Sequence, residues 1–421
     1  MTQGYSSLVE GTAAVTLARM SLRPDQDPGS PLQAGVPPTA IRSALLLCWR
    51  DTAHPQGGGS ETYLQRIGSQ LAASGVEVTL RTAHYPGSAR REVVDGVTIS
   101  RAGGRYSVYV LAGLAMIAAR LGLGPLRRLR PDVVIDTQNG LPFLSRLVFG
   151  RRTVVLVHHC HRDMWPVAGW VLSRVGWFVE STLSPWLHRN NQYVTVSLPS
   201  ARDLVELGVT SDRIAVVRNG LDEAPAHTLT EPRSSTPRVT VLSRLVPHKQ
   251  IEHALEAVAA LRRTQPELHL DVIGGGWWAE RLVEHATLLG ISDAITFHGH
   301  VDDEAKHHVL QRAWVHVLPS HKEGWALAVT EAAQHAVPTI GYRSSGGLTD
   351  SIVDGVTGLL VDDHAGLVDA LERLLTDQVL RDQLGAKAQA RSLEFSWRQS
   401  AEAMGDVLNS VAAGRRVSGV V

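Results

Sequence analysis

The chain is poor in cysteine, which limits the sites that it can build. Its 421 residues include two cysteines, Cys48 and Cys160, and neither has the spacing of a metal ligand. This content argues against a disulfide scaffold and favours reduced thiols inside a cytosolic protein. Three neighbouring histidines, His158, His159 and His161, are the remaining metal candidates. Because neighbours on a strand alternate faces and no second ligand cluster follows, metal binding is the weaker interpretation.

Long apolar runs are also missing. The longest, residues 108–119, has 12 residues, whereas a membrane span needs about 20; its length is that of a buried or interfacial helix. The amino terminus lacks the basic segment and apolar segment of a signal peptide. We therefore expect a cytoplasmic protein, and a peripheral contact with the inner face of the membrane stays open.

Lysine is absent from residues 1–225, although this half is rich in arginine. It holds 23 arginines against 17 acidic residues, a balance of +6, whereas the remainder has a balance of −6. Two explanations stay open: an anionic partner of the first half, such as a phosphorylated acceptor or a membrane surface, or ordinary variation in charge. No nucleic-acid motif accompanies the charge, so nucleic acid is not an expected partner.

What is present is a long alternation of strand-like and helix-like segments, which predicts an α/β fold. One hydrophobic core rarely exceeds about 250–300 residues, so two domains are expected. Short apolar runs such as 43–49 and 153–159 are typical of strands in a parallel sheet, and ligands bind at the carboxyl ends of such strands. We predict two doubly wound, Rossmann-like domains facing a central cleft, with these boundaries: a disordered tail (1–38), an amino-terminal domain (39–225), a linker (226–237), a carboxyl-terminal domain (238–392), and a final helix with a tail (393–421).

Four charged residues follow predicted strands of the second domain. Arg244 and Lys249, in SRLVPHK, lie beside a helix start, where two cations suit a diphosphate; solvated surface positions are the alternative. Glu323 and Glu331, in EGWALAVTE, are eight positions apart, one in a loop and one in a helix that begins near Ala326. Each carboxylate can accept hydroxyl hydrogen bonds, from a hexose and a ribose respectively. An acidic helix start would explain Glu323 alone.

Two glycine-rich loops also follow strands. Gly57–Gly59 precede a helix that we expect Ser60 to cap. Gly346 and Gly347, in SSGGLTD, lie between a strand and a helix, where their N–H groups would face an anion; a simple turn is the alternative. Neither loop has the G-x-G-x-x-G pattern, so a dinucleotide-dependent dehydrogenase is unsupported.

Taken in this order, the segments resemble the retaining, metal-independent family 4 glycosyltransferases of the GT-B fold. The resemblance spans about residues 43–400. Its most specific part is residues 323–361, EGWALAVTEAAQHAVPTIGYRSSGGLTDSIVDGVTGLLV, and RNGLD (218–222) and FSWRQ (395–399) stand in their expected places. NGLPFLS (139–145) followed by HHCHRDMWP is similar to a bacterial subgroup associated with cell-surface glycans.

The resemblance implies a catalytic group of four residues. Arg244 and Lys249 would bind the diphosphate of the donor, Glu323 would hold the transferred sugar, and His158 would lie beside that sugar. Glu331 would bind the ribose. The other implied donor-binding residues contribute mainly backbone groups: Gly58, Gly59, Gly324, Trp325, Gly346 and Gly347.

The implied reaction transfers a hexose from a nucleoside-diphosphate sugar, held by the second domain, to a glycan, lipid-linked or small-molecule acceptor on the first. It retains anomeric configuration by front-face attack, in which the leaving phosphate takes the acceptor proton. No cofactor or metal is expected, since the single D-x-D match, Asp25–Asp27, lies in the excluded tail. A sugar-nucleotide epimerase, a phosphorylase and a non-catalytic partner subunit remain alternatives.

Two features bear on the substrates. Ala326 stands where the family often has glycine and Ala328 where it often has proline, which leaves the choice of hexose open. The tryptophan-rich segment 164–187 is either a core helix or part of an acceptor groove or interfacial helix that reaches a lipid-linked acceptor. The basic run RRLR (127–130) favours the second interpretation.

Overall fold

Most of the strands form at the short apolar runs that the sequence predicts as strands. The computed structural model describes residues 41–162, 165 and 169–421; the predicted tail, with its Asp25–Asp27 match, lies outside this part of the chain. Several strands are buried along their whole length, because helices cover both faces of a parallel sheet. The strands are β1 (Ser43–Leu47), β2 (Glu77–Thr82), β3 (Arg91–Val94), β4 (Val97–Arg101), β5 (Val133–Thr137), β6 (Thr153–Val157), β7 (Gln192–Thr195), β8 (Ile214–Val216), β9 (Arg238–Leu242), β10 (His269–Ile273), β11 (Ile295–Gly299), β12 (Val315–Leu318), β13 (Thr339–Tyr342), β14 (Gly358–Val361) and β15 (Gly419–Val420).

The strands form two sheets, and these confirm the predicted α/β class. The first has the order β15-β8-β7-β6-β5-β1-β2-β4-β3, and the second has the order β11-β10-β9-β12-β13-β14. All neighbours are parallel except the β3–β4 pair. The chain changes direction across the first sheet between β1 and β5, and across the second between β9 and β12. A crevice opens at such switch points beyond the carboxyl ends of the strands.

Helices connect the strands and cover the sheets. A π-helical turn (Val179–Leu183) joins the fourth helix to the fifth. The α-helices are α1 (Gly59–Ala73), α2 (Ser107–Arg120), α3 (Arg146–Phe149), α4 (Trp170–Phe178), α5 (Ser184–Leu187), α6 (Leu198–Glu206), α7 (Ile251–Leu261), α8 (Ala279–Leu288), α9 (Asp303–Arg312), α10 (Leu327–Gln334), α11 (Leu348–Ser351), α12 (His364–Thr376), α13 (Gln378–Ser392) and α14 (Trp397–Ala412).

The β3–β4 hairpin is missing from our sequence prediction, although its turn carries a clear signal. Asp95 and Gly96 join the two strands with φ angles of 48° and 80°. An Asp-Gly pair is favoured in two-residue hairpin turns because both positions need positive φ. The hairpin extends the edge of the first sheet, far from the switch point.

The last part of the chain returns to the first domain. Helix α14 packs against α1, and its apolar residues, including Trp397, Met404 and Leu408, join the core formed by β1, β5 and β6. The residues that we predicted as a tail include β15, which pairs with β8. A Cβ at Gly220 would lie only 2.3 Å from the Trp397 backbone nitrogen, so the start of α14 is held tightly against the RNGLD segment. The first domain is therefore closed by residues from the end of the chain.

Two helices of the first domain expose apolar faces. Helix α2 buries Val108, Ala112 and Met116, whereas four residues of its other face are 54% to 72% exposed. In α4 only Gly176 is buried, and this contradicts the core-helix interpretation of the tryptophan-rich segment. Within residues 41–162, 165 and 169–421, no helix has the length and apolar character of a membrane span. The exposed apolar residues of the two helices, with the C-cap residue Leu121 of α2, are Val110, Leu111, Leu114, Ile117, Leu121, Trp170, Val171, Leu172, Val175 and Phe178.

Candidate functional site

Most of the predicted site residues follow strands at the two switch points or the strands next to them. Arg244 follows β9 and Glu323 follows β12, which are neighbours in the second sheet. His158 comes directly after β6 of the first sheet, and the Gly58–Gly59 loop lies between β1 and α1. Parallel strands bring their carboxyl ends to one edge, which is why residues far apart in sequence gather here.

Arg244 lies against the glycine loop of the first domain. A Cβ at Gly58 would lie 3.3 Å from Arg244 Nε, and a Cβ at Gly59 would lie 3.4 Å from Leu327 Cδ1. Burial, with the nearby charge of Arg50, lowers the pKa of Arg244 from its ordinary value. Its guanidinium donates no hydrogen bond to another residue in the described part of the chain. Arg244 is thus a largely enclosed cation at the domain boundary whose donors are unused.

The first turn of α1 differs from our prediction. Gly58, and not Ser60, occupies the N-cap position. Glu61 Oε2 accepts a hydrogen bond from the Gly58 N–H at 2.9 Å, and the same carboxylate forms a buried ion pair with Arg50 at 2.9 Å. The side chain of Glu61 replaces the Ser60 cap because it reaches back to the free N–H at the helix start. This N–H is therefore already bonded.

Lys249 and Glu323 form an ion pair in the cleft. Lys249 Nζ lies 2.5 Å from Glu323 Oε1, and both side chains are largely buried. Glu323 is fixed by its own backbone, because its N–H donates to Ser345 O at 2.8 Å and its carbonyl accepts from the Gly347 N–H at 3.0 Å. Because the Gly347 N–H is bonded to the Glu323 carbonyl, the expectation that this N–H faces an anion is wrong. Gly346, with φ 74°, has the left-handed conformation that glycine adopts most readily.

Gly324 lies close against the backbone of the first domain. A Cβ at Gly324 would lie 2.5 Å from the His158 carbonyl oxygen, so a larger residue would push the domains apart. That oxygen also accepts a hydrogen bond from Ser200 Oγ at 2.8 Å. Glycine at position 324 thus places the Glu323 loop against the end of β6.

His158 is a neutral, buried imidazole. Its ring packs edge-on against Tyr63, with centroids 5.2 Å apart. Burial lowers the pKa of His158 to about 3, and the nearby His161 contributes to the shift. Its Nε2 is buried and has no hydrogen-bond partner within the described residues. His158 therefore offers an unused polar atom and no positive charge at neutral pH.

Trp325 and Glu331 differ from the other predicted residues in their surroundings. The Trp325 ring is buried against Phe395, with centroids 5.0 Å apart, so only its backbone is available to a ligand. Glu331, on α10, binds Lys306 Nζ at 2.7 Å. Lys306 also binds Asp303 at 2.8 Å. Arg244, Lys249 and Glu323 come together, whereas Glu331 makes no hydrogen bond or ion pair with them among the described residues.

Two residues of this site are absent from our sequence prediction. Arg50 follows β1 at the switch point and lies close enough to Arg244 for the charges to interact. His248 precedes Lys249, and burial, together with Lys249 and Arg244, lowers its pKa to about 3. The position of Arg50 after a strand and the place of His248 inside SRLVPHK were the available signals. The places of Arg50 and His248 in the site depend on contacts between the domains, and a linear motif does not reveal such contacts.

Histidine, cysteine and carboxylate side chains are the metal ligands that the described ranges, 41–162, 165 and 169–421, can offer. No group of three or more His, Cys, Asp or Glu residues there has the arrangement to hold a metal ion. His159 and His161 stack with ring centroids 4.5 Å apart, and His161 Nδ1 bonds Glu180 at 3.0 Å. These histidines are engaged with each other and with a carboxylate.

Family models match both halves of the chain. Residues 57–225 match the model "Glycosyltransferase Family 4", and residues 230–391 match "Glycosyl transferases group 1". A glycogen synthase of Mycobacterium tuberculosis is 30% identical over 85% of this chain and 92% of its own. A D-inositol 3-phosphate glycosyltransferase of Corynebacterium diphtheriae is 26% identical over 84% of this chain and 90% of its own.

A solved structure matches the fold of the whole described chain. The sucrose-phosphate synthase of Thermosynechococcus elongatus superposes with a TM-score of 0.74 at 20% identity, covering 89% of this chain and all of that one. At this identity the match concerns the fold alone. The family models and the relatives support a glycosyltransferase in place of the epimerase, phosphorylase and non-catalytic alternatives. The chain belongs to the family 4 glycosyltransferases and has their two-domain GT-B fold.

Proposed function

We propose that this enzyme transfers a hexose from a nucleoside-diphosphate sugar, with retention of anomeric configuration and without a metal ion. The acceptor would be a glycan, a lipid-linked sugar or a small polyol of bacterial glycoconjugate or polysaccharide synthesis. The convergence of Arg244, Lys249 and Glu323 at one switch point carries the proposal.

The two cations suit the leaving diphosphate. Arg244 has unused donors and sits at the domain boundary beside Gly58, where an oxyanion would complete its hydrogen bonds. Lys249 is held by Glu323 until a donor enters. On binding, the phosphate would take Lys249 and a sugar hydroxyl would take the carboxylate of Glu323. Charge that develops on the leaving phosphate is then stabilised by groups already in place.

Front-face attack fits the carboxylates near Arg244. Glu61 is bonded to Arg50 and to the Gly58 N–H, and Glu323 is bonded to Lys249. In this proposal Glu61 keeps these bonds and Glu323 bonds a sugar hydroxyl once the donor enters, so neither carboxylate is assigned the role of a covalent nucleophile. The leaving phosphate would take the proton of the acceptor hydroxyl. Arg244 and Lys249 would stabilise the negative charge that develops on this phosphate. Proton NMR of the freshly formed glycosidic bond tests retention directly, since an inverted anomer would remove this mechanism.

Lys249→Ala tests the diphosphate assignment. We expect turnover to fall roughly 10²-fold or more, as for the loss of one group that stabilises transition-state charge. Turnover is measured as the release of nucleoside diphosphate in the presence of acceptor. Lys387→Ala is the matched control, because Lys387 is exposed on α13, far from the motif residues in sequence. Equal turnover of the wild type and Lys249→Ala would end the assignment.

The donor base and hexose can be identified by thermal-shift screening of UDP-, GDP- and TDP-sugars. A ligand present at 100 times its dissociation constant stabilises the native state by about 2.7 kcal/mol. The same screen with EDTA added tests the absence of a metal requirement. A shift that depends on a divalent ion would contradict that part of the proposal.

We further propose that the enzyme works in the cytoplasm, at the inner face of the membrane. The exposed apolar residues of α2 lie on one face, with Arg120, Arg127 and Arg128 exposed nearby. An apolar face beside arginines suits an anionic lipid surface. We expect the protein to float with vesicles that contain phosphatidylglycerol and to stay behind with phosphatidylcholine alone. Leu114→Glu with Ile117→Glu should abolish flotation, and unchanged flotation of that variant would contradict this surface.

A further inference from the structure

Glu180 is a buried carboxylate that no lysine or arginine neutralises within the described structure. It lies in the π-helical turn between α4 and α5 and is fully buried. Its Oε1 accepts hydrogen bonds from the backbone N–H and the ring Nδ1 of His161, both at 3.0 Å. Its Oε2 accepts from Trp165 Nε1 at 2.7 Å. Three N–H donors thus replace the water that a carboxylate loses on burial.

Trp165 is held on its ring as well as at its nitrogen. A Cβ at Gly140 would lie 3.0 Å from the Trp165 ring, and a Cβ at Gly176 would lie 2.2 Å from it. Gly140 belongs to the loop after β5, which Asp136 fixes through the Phe143 N–H at 2.8 Å. Gly176 is the buried residue of α4, one turn before Glu180. The indole therefore ties the π-helical turn to the loop at the first switch point.

The bond to Glu180 determines which nitrogen of His161 carries the proton. A carboxylate accepts hydrogen bonds, so Nδ1 bears the hydrogen, and in the neutral ring Nε2 keeps its lone pair. Nε2 makes no hydrogen bond with another described residue, and the side chain is partly exposed. A bare Nε2 accepts a hydrogen bond from a hydroxyl and gains nothing from an anion.

His161 lies within electrostatic range of the donor site. Burial, Lys249 and Arg244 lower the pKa of His248, and His161 adds to the effect from the other domain. His161 also contributes to the lowered pKa of His158, three residues earlier. The His161 ring lies 4.5 Å, between centroids, from the ring of His159, the residue that follows His158. A hydroxyl bonded to His161 would thus be near the end of β6 and the sugar that we assign to Glu323 and His158.

We infer that Glu180 is a positioning residue for the acceptor: it holds His161 so that Nε2 accepts a hydrogen bond from an acceptor hydroxyl. This inference rests on the proposed function and narrows it. The group recognised at this point is a neutral sugar or polyol hydroxyl, and a phosphate of the acceptor would have to lie elsewhere. No bond is made or broken by Glu180 or His161 in this role.

Glu180→Gln separates acceptor binding from donor chemistry. The amide has one accepting oxygen where the carboxylate has two, so either His161 or Trp165 must face its NH2 group. Where the NH2 group faces His161, Nδ1 becomes the acceptor and Nε2 carries the hydrogen. With octyl glycosides as acceptor probes, we expect KM for the acceptor to rise about tenfold or more, the loss of one good hydrogen bond. Hydrolysis of the donor by water and KM for the donor should stay within about twofold. If Glu180→Gln lowers the rate of donor hydrolysis by water as much as it lowers transfer to octyl glycosides, the role of Glu180 is structural and the inference is overturned.

His161→Gln tests whether Glu180 acts on the acceptor through His161. It should raise the acceptor KM as Glu180→Gln does, and the double variant should lose no more than either single one, since both act through one contact. Additive losses would contradict the inference. If the wild type releases no nucleoside diphosphate with any donor or acceptor, the proposed function fails instead.

Nitrogen-15 NMR of the imidazole tests the arrangement without any acceptor. His161→Gln identifies the resonances by their disappearance. The wild type should show Nδ1 protonated and Nε2 bare, and Glu180→Gln should reverse or mix the two forms. Trp165→Phe removes one bond to Glu180 and should leave the tautomer as it is. A wild-type ring protonated at Nε2 alone would overturn the inference.

Discussion

The two domains contribute different chemistry to the cleft. The second domain supplies charge: Arg244, Lys249 and Glu323 all follow its strands, and two of them already form an ion pair. The first domain adds the Arg50–Glu61 pair, in which the two charges compensate each other, together with the close backbone approach of Gly58 and the buried, neutral imidazole of His158. A diphosphate is stabilised by cations, whereas a hydroxyl also bonds a neutral partner. The unused cation, Arg244, thus lies in the second domain, and this agrees with the donor site that we propose there.

The largest effect should come from removing charge on the donor side. We expect Arg244→Ala to lower kcat about 10²- to 10³-fold, because it removes a preorganised donor to the leaving phosphate. Steady-state release of nucleoside diphosphate measures the loss. Arg262→Ala removes an exposed pair with Asp293 on the same domain and should change kcat little. A similar loss in both variants would break the distinction between this cluster and ordinary surface charge.

The contact between the domains should be the next most sensitive feature. Gly324→Ala places a Cβ 2.5 Å from the His158 carbonyl oxygen, and relief of such a clash typically costs about 1–3 kcal/mol. We expect lower stability in urea and a lower kcat, since the Glu323 loop moves away from β6. Gly113→Ala on α2 meets no neighbouring atom and should be neutral or slightly stabilising. If Gly324→Ala behaves like Gly113→Ala, the domains do not meet as described.

A smaller effect concerns the pH dependence of stability, for which each domain has one buried histidine to compare. Burial lowers the pKa of His158 and of His316, each to about 3. Below about pH 6.5 the unfolded chain binds protons that the native state does not, so stability is lost as pH falls. Each group should contribute about 1 kcal/mol per pH unit between pH 6 and 5.

Urea unfolding at several pH values measures this contribution. His158→Asn and His316→Asn should each make the decline shallower, by similar amounts, because both side chains are buried. Above about pH 8 the slopes of all three proteins should agree, since these histidines are neutral in both states. A decline that neither variant alters would contradict the assignment of buried, neutral rings.

The smallest effect concerns Ala326, which caps α10 with φ 74°. This conformation strains alanine, and the family that the sequence resembles often has glycine there. Ala326→Gly should raise the free energy of unfolding by at most about 1 kcal/mol, because relief of strain exceeds the entropy that glycine adds. Ala328→Gly, inside the same helix, should instead lower it by up to about 1 kcal/mol. Urea midpoints distinguish the two signs.

Local sequence was enough for most strands and for the proximity of two cations in the second domain. The runs that became β1, β5 and β6 are continuous and apolar because both faces of the sheet are covered. Arg244 and Lys249 are five positions apart after one strand, so their proximity follows from local geometry. The Asp95–Gly96 turn shows that even the omitted hairpin had a local signal.

Tertiary structure alone decided the contacts between distant segments and the burial of each side chain. The pairing of Lys249 with Glu323 spans 74 positions, and the closeness of Gly324 to His158 depends on how the domains meet. The bonded Gly347 N–H, the exposed α4 and the buried Glu180 could not be read from composition, since apolar and acidic residues occur both inside and outside proteins. Sequence periodicity specifies which segments form helices and strands, whereas packing determines which face is covered and which polar atoms remain free.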